Sequence, residues 1–347
     1  MEEKIVEFPA TAISLVDRFR RPLRDLRISV MDRCNFRCPY CMPEDKYHKD
    51  FRFLTTAQRL SFTEIIRLAR IFANFGVHKL RITGGEPLLR ANLQDLIGDL
   101  GRIDGIDDIA LTTNGILLAQ QAASLKAAGL DRVTISLDSL DDQVFDQMTG
   151  GRGSKDRVLD GIREAEESGL LPIKINVVVK KGLNDEGVFD MVEHFRGTGI
   201  IVRFIEYMDV GTINHWQLSE TVPARELVDR INARWPILPA QQNYHGEVAN
   251  RYLFEDGQGE IGFITSVTEP FCGFCNRARL SSDGKLFTCL FASEGTDLRG
   301  PLRAGASDQD LAALINNAWS GRDDRYSELR ARQAAPGNKV EMYYIGG

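Results

Sequence analysis

The sequence contains no run of about 18 apolar residues, the length that a membrane-spanning helix needs, so no membrane segment is expected. It also shows no internal repeat and no low-complexity tract, which leaves no disordered segment longer than the termini. Residues 1–21 carry acids at Glu2 and Glu3 and lack the sustained apolar core of a signal peptide. These absences predict a cytoplasmic protein.

An excess of positive charge is absent as well. The chain has 43 Lys and Arg residues against 49 Asp and Glu residues, which gives a formal net charge of −6. A mildly acidic protein has no general electrostatic reason to bind nucleic acid or an anionic membrane, so neither partner is expected. A site for a polyanion would have to concentrate its positive charge locally.

Short apolar, β-branched segments alternate with stretches of helical spacing between Asp25 and Glu206. Such alternation is typical of βα units and a parallel sheet. Six units can be counted, fewer than the eight of a closed barrel, so the sequence predicts an α/β fold with a partial, open (βα)6 barrel. The predicted strands are residues 26–31, 77–83, 109–113, 132–138, 173–179 and 201–206.

The pattern changes after Met208, and we place a domain boundary near residue 210. Residues 1–210 would form the barrel, and residues 211–347 a smaller α+β region that closes it. In this second region the sequence predicts helices at residues 221–233 and 308–319, and strands near residues 251–254 and 261–266.

The cysteines fall into two groups of three with no remainder. A C-x3-C-x2-C loop follows the first predicted strand, and a C-x2-C-x13-C arrangement lies near the far end. The two groups are Cys34, Cys38 and Cys41, and Cys272, Cys275 and Cys289. Grouped cysteines in a cytosolic protein indicate metal binding or catalysis rather than disulfides.

Three thiolates suit an iron–sulfur cluster better than a structural zinc ion. Zinc normally takes four ligands, and the 5 histidines show no ligand spacing. A 4Fe–4S cluster held by three thiolates keeps one iron free for another ligand. Taken in isolation, the second group also allows zinc, because C-x2-C is a common zinc element.

The first cysteine loop, residues 34–41, resembles the cluster loop of the radical S-adenosylmethionine (SAM) superfamily. The segments 83–87 and 136–138, at the ends of the second and fourth predicted strands, resemble its SAM-binding motifs. The resemblance implies that Cys34, Cys38 and Cys41 hold the cluster that cleaves SAM. The residues that it implies for SAM binding are Tyr40, Gly84, Gly85, Glu86, Ser136 and Met208.

Longer motifs resemble one family within this superfamily, the GTP 3′,8-cyclases of molybdenum cofactor biosynthesis. They are residues 41–43, 111–115, 203–211 and 272–284 and the terminal pair Gly346-Gly347. The resemblance implies a second 4Fe–4S cluster on Cys272, Cys275 and Cys289, whose open iron binds the guanine. The GTP-binding residues that it implies are Arg27, Arg81, Thr112, Lys174, Arg277 and Arg279.

The same resemblance implies the reaction and its partners. A 5′-deoxyadenosyl radical would take hydrogen from the ribose 3′ carbon of GTP, and that carbon would attack C8 of guanine. Cluster and SAM would carry the chemistry, so no catalytic side chain is assigned. The expected partners are an electron donor and the downstream cyclic pyranopterin monophosphate synthase, and the protein would be a monomer or homodimer. The C-terminal glycines would reach into the active site.

Charged residues within apolar strands support the substrate assignment. Arg81, Lys174 and Arg203 lie in predicted parallel strands, where a charge is costly to bury unless it is paired. Each could form a salt bridge to a neighbouring acid or could contact phosphate, which pairs well with the guanidinium fork. Arg277 and Arg279 would point the same way if their segment is extended.

Two other functions stay open from the sequence. A radical SAM peptide-modifying enzyme with an auxiliary cluster usually carries more C-terminal cysteines than the three present here. A zinc-stabilised binding module would be colourless and would not cleave SAM. The cyclase interpretation instead predicts a brown, oxygen-sensitive protein with about eight irons.

Overall fold

The computed structural model describes residues 14–330 and 339–346. Most of residues 1–21, which lack a signal-peptide pattern, lie outside the described residues, and so does Gly347 of the terminal pair. No helix in the described ranges is both long and apolar enough to span a membrane.

Six parallel strands form the centre of the sheet, each hydrogen-bonded to the next in chain order. They agree with the six predicted strands to within two residues at either end, and the predicted partial barrel is confirmed. The strands are β1 (Asp25–Ser29), β2 (Lys79–Thr83), β3 (Asp108–Thr113), β4 (Arg132–Ser136), β5 (Lys174–Val179) and β6 (Ile201–Glu206).

The C-terminal strands extend this sheet at both edges. One of them pairs parallel with β6 and another pairs parallel with β1, so the chain returns to both sides of the barrel. These strands are β7 (Ile237–Ala240), β8 (Asn250–Phe254), β9 (Glu260–Ile264), β10 (Arg277–Leu280), β11 (Lys285–Phe287) and β12 (Thr296–Asp297). Strand β9 lies beside β6, and β10 beside β1.

Helix α1 (Phe62–Asn74) shows how the sequence determines where a helix begins and which face of it packs on the sheet. The Ser61 hydroxyl accepts from the Glu64 amide, and the Glu64 carboxylate accepts from the Ser61 amide, which satisfies two free donors at the helix start. Ile65, Leu68 and Phe72 follow at helical spacing and are fully buried against the sheet core.

The other helices have these bounds: α2 (Leu93–Leu100), α3 (Ala122–Ala127), α4 (Asp142–Thr149), α5 (Lys155–Glu167), α6 (Val188–Phe195), α7 (Ala224–Arg234), α8 (Arg299–Arg303), α9 (Asp308–Ser320), α10 (Tyr326–Leu329) and α11 (Met342–Ile345). Helices α7 and α9 correspond to the two helices that were predicted after residue 210.

A buried carboxylate joins the barrel to the C-terminal region. Glu206, at the end of β6, is 2% exposed. Its Oε1 accepts from the Ala224 amide at 3.0 Å, and its Oε2 accepts from the amides of Val267 and Thr268 at 2.7 and 2.9 Å. The Thr268 hydroxyl donates to it as well. One side chain therefore holds the start of α7 and the segment that follows β9.

We expect Glu206→Gln to lower the free energy of unfolding by about 3 kcal/mol, because an amide NH2 would face buried N–H donors. Urea unfolding of the cluster-free chain measures this. Glu226→Gln, on the exposed face of α7, is the matched control and should change stability by less than about 0.5 kcal/mol. Equal losses in the two variants would contradict the proposed role of Glu206.

Candidate active site

The first cysteine loop follows β1, and hydrogen bonds to backbone carbonyls, rather than to the thiols, hold its shape. The Arg37 guanidinium donates from Nη1 to the Cys34 carbonyl at 2.8 Å and from Nε to the Tyr47 carbonyl at 2.9 Å. The amide of Cys41 donates to the Cys38 carbonyl at 3.0 Å. Backbone contacts therefore set the loop shape, which leaves its thiols free to bind a ligand.

These three cysteines are half-buried and are not joined in disulfides. Burial, with the nearby Glu86 carboxylate, raises the pKa of Cys34 to about 12, although the Phe36 amide donates to its sulfur. Burial and the neighbouring Cys41 raise the pKa of Cys38 well above its ordinary value. Metal ligation requires thiolates, so cluster binding here would release protons. Three adjoining thiols of this kind fit the donor set of an iron–sulfur cluster.

Two glycines after β2 let the backbone lie directly against this loop. A Cβ on Gly84 would overlap the carbonyl oxygen of Met31, and one on Gly85 would overlap that of Arg33. Gly84 also has a φ of 146°, which side-chain-bearing residues rarely adopt. The contact brings the predicted SAM motif and the cluster loop together.

Glu86 connects this motif to the end of β3. The side chain is fully buried, and its carboxylate accepts from the Thr113 hydroxyl at 2.7 Å and from the Asn114 amide at 2.8 Å. Burial raises the pKa of Glu86 to about 7 despite these donors. The described contacts give Glu86 a bracing role, and its contact with SAM stays a prediction.

Tyr40 connects the cluster loop to the end of β4. Its hydroxyl donates to Asp138 Oδ2 at 2.7 Å, and Asp138 Oδ1 accepts from the Val178 amide at 2.9 Å. Burial raises the pKa of Asp138 to about 6. Ser136 pairs in register with Asn176 of β5, so these polar side chains lie at the same edge of the sheet.

A cavity of about 220 Å³ lies inside the barrel and brings most of the predicted site together. The predicted residues that line it are Arg27, Tyr40, Arg81, Thr112, Lys174, Met208, Cys272, Cys275, Arg277, Arg279 and Cys289. The predicted residues outside its lining are Cys34, Cys38, Cys41, Gly84, Gly85, Glu86 and Ser136. The second triad therefore borders the cavity directly.

Three arginines cross this cavity in one row. Arg27 on β1 pairs in register with Arg81 on β2 and with Arg279 on β10. Burial, followed by the charges of Arg279 and Arg81, lowers the pKa of Arg27 well below its ordinary value. The Nε atoms of Arg27 and Arg81 are buried without a hydrogen-bond partner. The Asp25 carboxylate in the same cavity offsets part of this repulsion, and a bound anion would offset more of it.

Lys174 and Arg203 add to this positive surface from β5 and β6. Burial and the charge of Arg203 lower the pKa of Lys174 to about 7, and burial and the charge of Arg81 lower that of Arg203 to about 9. Arg203 donates from Nη2 to Asn176 Oδ1 at 2.7 Å. Across residues 14–330 and 339–346, Arg81, Lys174 and Arg203 form no ion pair with a carboxylate within 4.0 Å. The described residues therefore give these cations no salt bridge, which leaves the interpretation as substrate contacts.

The second triad lies where β10 begins and β11 ends, at the amino edge of the parallel strands. Arg277 donates from Nη2 to Cys275 Sγ at 3.2 Å. Although burial acts in the opposite direction, Arg277 and Arg322 lower the pKa of Cys275 to about 6. Burial and Asp324 raise the pKa of Cys289 to about 12. The arginines thus favour a thiolate at this site.

In the described ranges, no three His, Cys, Asp or Glu side chains meet closely enough to hold a single metal ion. Each thiolate of a four-iron cluster binds a different iron, so these ligands need not converge on one point. The described part of the chain thus offers two sets of three free cysteines as cluster ligands.

The last described residues, 345 and 346, pack against the barrel strands. Ile345 is fully buried, and the Gly346 carbonyl accepts a hydrogen bond from Arg279 Nη1. Gly346 has a φ of 74°, and a Cβ there would overlap the side chain of Thr83 at the end of β2. The last described residue therefore lies between a predicted substrate arginine and the strand that precedes the SAM motif.

Some cavity residues were not predicted. Asn176 was detectable, because it interrupts an otherwise apolar strand on β5. Arg21, Tyr244, Glu247 and Arg322 gave no comparable signal, because they come from separate loops that only the fold brings together.

The chain is similar over nearly its full length to proteins named GTP 3′,8-cyclase. It is 54% identical to the one from Xanthomonas campestris pv. campestris (strain 8004), over 97% of this chain and 98% of that protein. The chain belongs to the GTP 3′,8-cyclase family. The family proteins from Acidothermus cellulolyticus and Staphylococcus epidermidis (strain RP62A) are 48% and 47% identical, each over 95% of this chain and 98% of the relative.

Two family profiles match consecutive parts of this GTP 3′,8-cyclase family member. The radical SAM superfamily matches residues 28–195, and Molybdenum Cofactor Synthesis C matches residues 200–328. Among solved structures, Streptococcus suis SuiB bound to S-adenosylmethionine shares the fold with a TM-score of 0.55 at 15% identity, over 92% of this chain and 75% of that one. Radical SAM membership implies SAM and one 4Fe–4S cluster as cofactors.

Proposed function

We propose that this protein converts GTP to (8S)-3′,8-cyclo-7,8-dihydroguanosine 5′-triphosphate, the first step of molybdenum cofactor biosynthesis. The observation that carries this proposal is the row formed by Arg27, Arg81 and Arg279. Three guanidiniums in register inside a buried cavity suit a polyanion such as a triphosphate. Family membership supports the same substrate.

The first triad would hold the cluster that binds SAM, with Cys34, Cys38 and Cys41 as its ligands. When bound, reduced cluster and SAM together supply a 5′-deoxyadenosyl radical, which takes the hydrogen from C3′ of the ribose. Tyr40 and Asp138 would orient the adenosine, since their hydrogen bond joins the cluster loop to the edge of β4 and β5. Gly84 and Gly85 would bring the backbone of this motif against the cluster loop, beside the methionine part of SAM.

The second triad would hold a further 4Fe–4S cluster and seat the guanine through the iron that the protein leaves free. Arg277 would lie beside the base, while Lys174 and the row of Arg27, Arg81 and Arg279 would bind phosphate oxygens. Thr112 already accepts from Arg81 Nη1 at 3.1 Å and would hold that guanidinium in place. Ring closure joins C3′ to C8, and an electron and a proton then complete the product.

The protein would work in the cytoplasm with a separate electron donor, and its product would pass to cyclic pyranopterin monophosphate synthase. The arginine row disfavours a peptide-modifying activity, because a neutral peptide would offer no negative charge to pair with the three guanidiniums. A zinc-binding module is disfavoured by the same row, because such a module has no use for so many buried cations around one cavity.

Anaerobic purification followed by iron and sulfide analysis tests the cofactors, and GTP turnover tests the reaction. We expect a brown protein with about eight irons per chain that forms the cyclised nucleotide from GTP and SAM. A pale, zinc-containing protein, or one that modifies peptides and ignores GTP, would overturn the proposal.

Lys174 should make GTP binding depend on pH. Its pKa of about 7 in the free protein means that it loses its charge as the pH rises. Phosphate binding favours the charged form, so the affinity for GTP should fall about fivefold between about pH 7 and pH 8, with proton uptake on binding. Calorimetric titration with GTP at each pH measures both effects.

Lys174→Arg is the matched variant, because arginine stays charged across this range. The terminal phosphate of GTP titrates identically in both proteins, so the difference between their pH profiles isolates the lysine. Parallel profiles would show that Lys174 is not the group responsible.

A further inference from the structure

A buried ionic network surrounds the backbone of the second triad. Arg21 precedes β1, and its Nε donates to Asp17 Oδ2 at 2.5 Å. From Nη1 the same guanidinium donates to the Cys272 carbonyl at 2.7 Å and to the Asp324 carbonyl at 2.8 Å. An arginine near the N-terminus thus holds the first cysteine of the second triad.

Arg322, just after α9, holds the second cysteine in the same way. Its Nη1 donates to the Cys275 carbonyl at 2.7 Å and also reaches Asp17 Oδ2 at 3.3 Å. Its guanidinium lies 4.5 Å from the centre of the buried Trp319 ring. Packing and pairing together fix this side chain in one position.

The third cysteine is linked through an acid. Asp324 Oδ2 accepts from the Thr288 hydroxyl at 2.6 Å and from Arg322 Nε at 3.3 Å. Thr288 directly precedes Cys289 in the chain. The network of Asp17, Arg21, Arg322 and Asp324 therefore contacts all three segments that carry the second triad.

One nitrogen of the Arg21 guanidinium takes no part in this network. Its side chain is 2% exposed, and those of Asp17 and Arg322 are 0% and 1% exposed. Yet Nη2 of Arg21 is buried with no hydrogen-bond partner, although the residue lines the cavity between the cysteines. A buried guanidinium N–H without an acceptor is costly, so a ligand in the cavity is the expected acceptor.

We propose that Arg21 donates from Nη2 to a sulfur of the second cluster, and that Arg322 and Asp17 hold Arg21 in position for this. The inference rests on the second cluster of the proposed function. Hydrogen bonds to cluster sulfurs stabilise the more negative, reduced state and so raise the reduction potential. Arg21 therefore sets the potential of the cluster that seats the substrate.

The test uses the full chain with Cys34→Ser, Cys38→Ser and Cys41→Ser, so that only the second cluster loads. An EPR-monitored redox titration follows this cluster with and without Arg21→Gln. At a fixed solution potential, we expect Arg21→Gln to lower the ratio of reduced to oxidised cluster about tenfold, equivalent to about 59 mV for one electron.

Arg18→Gln is the matched control, since Arg18 lies in the same segment with its side chain 62% exposed and paired to Asp323. It removes the same charge and should leave the potential unchanged. Arg21→Lys keeps the charge but loses the guanidinium fork, so its potential should lie between those of the parent and Arg21→Gln. It also serves as the test if Arg21→Gln binds no iron.

Two results would overturn the inference. One is an unchanged potential in an iron-replete Arg21→Gln or Arg21→Lys variant, which would show that Arg21 only supports the backbone of the second triad. The other is an equal shift in Arg18→Gln, which would indicate a general charge effect. Absence of any cluster in the parent with all its arginines would instead contradict the proposed function.

Discussion

Replacing Cys34 with alanine should abolish SAM cleavage, whereas replacing Cys275 with alanine should leave SAM cleavage and abolish cyclisation of GTP. The reason is that the two triads lie at different parts of the barrel, the first beside the SAM motif and the second lining the cavity. We expect each abolished reaction to fall by about 10³-fold or more, equivalent to about 4 kcal/mol of transition-state stabilisation.

Chromatography of 5′-deoxyadenosine and of the cyclised nucleotide measures the two reactions separately in each variant. Iron analysis should give about half of the parent content in both. Thr288→Ala provides a comparison beside the second triad, because it removes a hydroxyl without removing a ligand. Loss of SAM cleavage in Cys275→Ala at half iron content would show that the triads do not act separately.

Removal of Gly346 and Gly347 should abolish turnover and leave both clusters in place. The Gly346 carbonyl accepts from Arg279, and its Cα faces Thr83, so the contacts that the truncation removes are to the cavity and not to a cluster ligand set. Without this contact, Arg279 loses its orientation in the arginine row, and the cavity opens beside the reacting atoms. We expect a loss of at least ~100-fold in kcat, or about 2.7 kcal/mol.

Gly346→Ala should reproduce much of this effect, because a Cβ would overlap Thr83 and because the φ of Gly346 is positive. Gly305→Ala is the matched control, since Gly305 has a φ of 88° with nothing within 4 Å of its Cβ position. Turnover and iron content should be measured together. Full activity of the truncated protein would refute the role of the C-terminus, and loss of iron would show that it is structural.

The sequence predicted the barrel strands well because each is a short β-branched segment between helical ones. Strand β6, for example, was predicted with the bounds that the structure has. Local pattern is sufficient for such strands, since parallel neighbours in βα units follow each other along the chain. The cysteine spacing likewise indicated both triads from the sequence alone.

Long-range pairing could not be predicted. Strand β10 pairs with β1 about 250 residues earlier, and no local pattern specifies such a partner. The row formed by Arg27, Arg81 and Arg279 depends on that register, so the three residues could be predicted from the sequence but their alignment could not. The same holds for Arg21 and Arg322, which meet near Cys272 only after the chain has closed on itself.

The parallel pairing of β10 with β1 also places the two cysteine loops at opposite edges of the sheet. The first triad follows the carboxyl end of β1, and the second precedes the amino end of its neighbour β10. At about 3.3 Å per residue, the five residues of β1 separate the two levels by about 16 Å. The rigid strands thus set the distance between the starting points of the two cysteine loops, and a nucleotide bound between the loops would have to match that distance.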